Sequence, residues 1–151
     1  MFEPKPSDLT GIDYEQDLAL WYDRQIALLR ARRFDELDVE NLIQELEYFV
    51  GKDRRELASR LRVLLMHLLK CQLQPQRVSR SWLGTIAEQR AGIEALLEDS
   101  PSLGPGLMQV ANKMYPKAVH AATIETRIAS SAFPAANPYT REQLLDADFV
   151  P

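Results

Sequence analysis

Hydrophobic and polar positions alternate along this chain with a helical period almost from end to end. Leu18, Trp21/Tyr22, Leu28 and Leu29 recur every three or four residues, with Gln25 as the one polar position in the stripe. Asp13, followed three residues later by Gln16, supplies a capping box for this first helix. Arg30, Arg32 and Arg33 close it, where cations complement the negative end of the helix dipole. Phe34 to Leu37 read as a connector. Asp38 then caps a second helix with Glu40 in its first turn, and its expected buried face is Val39, Leu42, Ile43, Leu46, Phe49 and Val50. Gly51 disfavours helix by about 1 kcal/mol relative to alanine. Asp53 can cap whatever follows, so a break or bend is expected at Gly51.

The third helix, Lys52 to Gln72, turns Leu57, Leu61, Leu64/Leu65 and Leu68 inward. Its second half, Val63 to Lys70, is apolar on every side apart from His67 and Lys70, and a helix of that kind is enclosed by other helices. Pro75 ends it. Ser79 caps a fourth helix containing Trp82, Leu83, Ile86, Ile93, Leu96 and Leu97. Asp99-Ser100-Pro101 opens a fifth that reaches about Ala129, with Gly104 and Gly106 blurring its start and Pro116 expected to kink it. Thr140 with Gln143 marks a short last helix carrying Leu144 and Leu145, after which the tail folds back to bury Phe149. No stretch alternates with the period of a strand. The expected class is all-α: a single-domain bundle of about five helices plus a short C-terminal helix, with no sheet. Residues 1–12, with two prolines and no apolar period, read as an extended N-terminal arm, and 13–151 as the single helical domain.

A composition of 46% hydrophobic and 26% charged residues fits a folded globular chain and not a disordered one. No segment approaches the roughly 18 uncharged apolar residues that span a bilayer, so no membrane role is expected. The first residues lack the basic-then-apolar pattern of a signal peptide. A lone cysteine, Cys71, has no internal disulfide partner and suits a reducing compartment, which makes the cytoplasm the expected location. The net charge of −4 is unevenly spread: residues 1–50 carry 5 basic and 12 acidic side chains, residues 51–90 carry 9 and 3. Neighbouring helices of opposite sign account for this most simply. The alternative is a basic surface for an anion or nucleic acid built from Arg54, Arg55, Arg62, Arg77 and Arg80. It ranks lower because an acidic protein is repelled by phosphate at long range, and because no aromatic precedes Trp82 to stack on a single strand.

Four segments carry a family likeness: Asp38 to Glu47 (DVENLIQELE), Leu64 to Lys70 (LLMHLLK), Ser81-Trp82 with Thr85-Ile86 and Gln89-Arg90, and Ser100-Pro101-Ser102-Leu103. Together and in this order they resemble the bacterial family known as domain of unknown function number twenty-nine, from Tyr14 to the closing Phe149-Val150-Pro151. Cys71 departs from the pattern, which has an aromatic residue after the Leu-Leu-Lys run. Pro116, Gly104 and Gly106 also look unusual for it. The resemblance implies a compact helical domain and brings no activity with it.

His67 and Lys70 stand three apart on one side of the most apolar helix, and a buried lysine needs a partner. The expected partners are carboxylates of the second helix, Glu45 first and then Glu40 or Glu47, with Trp82 and Arg90 of the fourth helix completing a polar constellation. Its plainest role is a lock on helix register; its sharper one is a small enzyme or ligand site. Di-metal bundles use Glu-x-x-His motifs, but Leu64 and Lys117 stand three residues before His67 and His120, so no di-metal site and no cofactor are expected. Metal binding stays within the sharper reading only as a single ion held by His67 and two glutamates. There is no nucleophile elbow or phosphate-cradling glycine loop, and Cys71 sits too deep in a helix to be an activated thiolate. The sequence therefore reads as a non-enzymatic binding or scaffolding module with a protein partner, homo-oligomerisation being left open. A small enzyme or a ligand- or metal-binding protein using a buried His–Lys–Glu site is the alternative, and anion or nucleic-acid binding through residues 51–90 the weaker one.

Overall fold

A computed structural model describes residues 14–151, and every regular element among them is helical. The α-helices are α1 (Leu18–Arg30), α2 (Val39–Leu73), α3 (Arg80–Asp99), α4 (Leu107–Thr126) and α5 (Arg141–Leu145), with short 3-10 turns between them. The all-α class is as expected. The arm at residues 1–12 and the capping residue Asp13 lie outside the described residues. The chain falls into two compact units, Met1–Val50 and Gly51–Pro151.

One departure from expectation is at Gly51, where the second and third helices are one 35-residue helix. A single glycine costs about 1 kcal/mol in a helix interior, less than the hydrogen bonds lost by breaking a ladder flanked by good helix formers. Helix α1 starts later than expected, at Leu18, with the Asp17 carboxylate accepting from the Leu20 amide at 3.0 Å. Its end is set by Arg32, whose φ of 55° takes the chain into the left-handed region.

In the second unit the leucines of α2 make the core. Leu57, Leu61, Leu64, Leu65, Leu68 and Leu69 are all essentially inaccessible, packed with Ile86 and Ile93 of α3, Ala111, Ala118 and Ala122 of α4, and Leu144 of α5. Ala111, Ala118 and Ala122 line the face of α4 that joins this core. Helix α3 lies antiparallel to the end of α2, since Arg60 reaches Gln89 and Asp53 accepts from Ser100. Ser79 caps α3 by accepting from the Trp82 amide, and Thr140 and Gln143 close the reciprocal capping box of α5. Pro116 lies inside α4 without ending it, preceded by a 3-10 stretch over Pro101–Gly106 where the two glycines fall. The tail turns back: Phe149 packs partly buried against the core with its ring edge toward Tyr139.

The first unit is built differently. Trp21 and Leu28 are buried on α1, and Gln25, the polar exception in the stripe, is buried because its side-chain oxygen accepts the Asp38 amide at 2.9 Å. The Asp38 carboxylate accepts from the Trp21 indole at 3.0 Å. These contacts set α1 against one flank of the start of α2.

Candidate functional site

The expected polar constellation is only partly brought together. Lys70 is buried, as foreseen, but its partner is Glu125 near the end of α4, at 2.5 Å. Its ammonium also stands 4.3 Å from the centre of the Trp82 ring, a cation–π contact. Glu45, Glu40 and Glu47 do not meet Lys70 or His67. With no break at Gly51 all five share one helix, and residues more than 19 positions apart on one helix cannot touch. The signal for Glu125 was present in the sequence. Short connections between α2, α3 and α4 make consecutive helices antiparallel, which returns the ends of α2 and α4 to the same end of the bundle.

His67 is 9% exposed and its Nδ1 lies 2.9 Å from the Val63 carbonyl, so that nitrogen carries the proton. Burial first, and then the Lys70 charge, push the imidazole below its ordinary pKa, which favours the neutral ring. Cys71 is fully enclosed and burial raises its thiol, the reverse of what a nucleophile needs. Arg90 does not join Lys70. Its buried guanidinium donates to three backbone carbonyls of the returning tail, those of Gln143, Leu144 and Phe149, at 2.7–3.0 Å. Among the described residues no group of three or more acidic, histidine or cysteine side chains is placed to hold a metal.

The candidate anion-binding arginines are exposed or half-exposed but not gathered. Arg54 and Arg55 lie at the middle of α2, next to the Asp53 that accepts from Ser100, whereas Arg77 and Arg80 flank the turn beyond its end, roughly 28 Å of helix away. Arg62 lies between the two groups.

The feature that sequence reasoning misjudged most is the expected buried face of the second helix. Val39, Ile43, Leu46, Phe49 and Val50 are exposed, between 45% and 64%, and Leu42 is only half-buried. Helix α1 covers one flank alone. Tyr14 and Tyr22 both donate to Glu45 there, which holds its carboxyl below the usual range and raises both phenols, Tyr22 to about 12. Glu40 and Glu47 occupy the other margin of the stripe, seven residues apart on the same side, exposed and without an ion pair or hydrogen bond among the described residues. Among the described residues, eleven of the 14 large hydrophobic side chains that are exposed belong to residues 18–50. A concentration of that kind is unusual for a surface that stays in water. Periodicity could not reveal it, because an amphipathic stripe has the same spacing whether it faces a core or a partner.

No helix among the described residues is long and apolar enough to cross a membrane. Searches of curated proteins and of solved structures each returned no match. A family model described as "Domain of unknown function DUF29" matches residues 14–150. That span takes in both helical units, the LLMHLLK rod and the tail latched by Arg90, and the chain belongs to the DUF29 family.

Proposed function

We propose that this protein is a non-enzymatic interaction module whose contact surface is the apolar face of α2 between Val39 and Val50. One observation carries the reading: three turns of helix present a continuous stripe of Val39, Ile43, Leu46, Phe49 and Val50 to solvent, while the leucine rod from Leu57 to Leu69 on the same helix is completely enclosed. Burying apolar area is worth roughly 25 cal/mol per Å², so several large side chains left open are a reserve of binding free energy. A cytoplasmic setting belongs to the same reading, resting on the single reduced and buried Cys71. The ligand-site and anion-site alternatives have less behind them. Lys70 is closed off by Trp82 and Glu125, and the arginines are spread from the middle of α2 to the start of α3.

The test is photo-crosslinking in cells of the parent organism, with a photoreactive amino acid in place of Leu46 and, as a control, of Glu98 on the exposed side of α3. A discrete adduct from position 46 and none from position 98 is expected. No adduct at 46, or the same diffuse products from both positions, would count against an interaction surface there.

A further inference from the structure

We infer that the occupant of this face is a basic amphipathic helix of another protein, seated on the apolar stripe with its cations over Glu40 and Glu47. The inference rests on the interaction reading above and adds the chemistry of the partner. Leu46 is the centre of the stripe, and Val39, Ile43 and Val50 lie within about 60° of it around the helix. From Val39 to Val50 the stripe is roughly 16 Å long, the length of a three-turn partner helix presenting apolar residues at i, i+3 or i+4, and i+7. The charge along its open margin selects the partner's sign. Glu40 and Glu47, both exposed and both without a partner among the described residues, project on the same side one heptad apart, the spacing at which a docked helix places flanking charges.

A second copy of this chain fits less well. Residues 14–50 carry 9 acidic and 4 basic side chains, so an identical surface would bring the same surplus and the same two carboxylates to the interface. A lysine- or arginine-flanked helix brings the opposite charge to a margin that α1 leaves open.

The experiment uses the full chain and two fluorescent amphipathic peptides of about 18 residues, long enough to become helical on docking, one of leucine and lysine and one of leucine and glutamate with the same apolar period. Fluorescence anisotropy should show the lysine peptide binding at least about tenfold more tightly than the glutamate peptide, and weakening as salt rises. Glu40→Lys/Glu47→Lys should invert that preference, and Leu46→Asn/Phe49→Asn should lose both peptides. All four side chains are exposed, and unchanged melting curves would confirm that the variants fold. Equal binding of the two peptides, or a preference that charge reversal leaves alone, overturns the basic-helix partner while the face remains an interaction surface. So does a chain that binds neither peptide and sediments as a dimer that Leu46→Asn/Phe49→Asn dissociates. A monomer that binds neither peptide also overturns it, and the crosslink from position 46 then decides separately whether the face has any partner.

Discussion

The Lys70–Glu125 pair is asymmetric, and its two halves should respond differently to mutation. Lys70 has 6% of its side-chain surface exposed and Glu125 48%. Removing one partner of a fully buried ion pair costs about 3–5 kcal/mol, because the survivor is left charged and dry. Glu125→Gln leaves Lys70 in that position, but Glu125 is half in water, where an ion pair is worth only about 0–1 kcal/mol, and the Trp82 ring still holds the ammonium with about 0.5–2 kcal/mol. The expected loss is therefore about 1–2 kcal/mol. Lys70→Met leaves behind a carboxylate that water can solvate, and it places a thioether of similar length against Trp82, so it should fall within about 1 kcal/mol of the parent. Urea unfolding followed by circular dichroism reads both as shifts in midpoint at constant slope. The reverse order, with Lys70→Met losing more than 3 kcal/mol and Glu125→Gln neutral, would mean that the carboxylate and not the ammonium is the desolvated group, and would refute the reasoning.

Three further outcomes follow from the same structure. Leu65→Ala should cost about 2–5 kcal/mol because the leucine is fully enclosed, whereas Leu46→Ala should change the purified chain by less than about 0.5 kcal/mol; equal losses in urea melts would contradict the contrast between the two ends of α2. Arg90→Met strands three carbonyls and should cost about 2–4 kcal/mol, with Arg90→Lys rescuing it only in part. Amide exchange over residues 143–149 should accelerate before that of the α2 core, and uniform acceleration would show that Arg90 is not a latch for the tail. His67 titrates lower in the folded protein than the ordinary value near 6.5, so its contribution to stability is present above about pH 6.5 and is lost as pH falls through the folded value. The difference in unfolding free energy between the parent and His67→Gln should shrink over that descent, and a difference that grows would reverse the sign of the burial effect.

Local chemistry was legible in the sequence wherever a side chain acts on its own neighbours. The caps at Ser79 and Thr140, the stop at Pro75 and the leucine rod from Leu57 to Leu69 all stand where spacing put them. Position 51 was misread because a glycine's cost is local, while helix continuity is decided by the cooperative ladder on both sides of it. That one misreading led to the wrong carboxylate for Lys70, since a break at Gly51 would have let Glu45 fold back toward it. The lysine's need for a partner was legible from burial, and helix order could have named Glu125. The exposed stripe on α2 was not legible at all. Hydrophobic periodicity reports that a face will be covered and says nothing of what covers it.

The central claim is that the face from Val39 to Val50 is open in the free chain. Diazirine footprinting of the purified monomer, resolved to single residues by mass spectrometry, measures this directly. Ile43, Leu46 and Phe49 should label heavily while Leu61, Leu65 and Leu68 stay unlabelled. Protection of the first three in a verified monomer would mean that the chain covers its own face, leaving nothing there for a partner to bind.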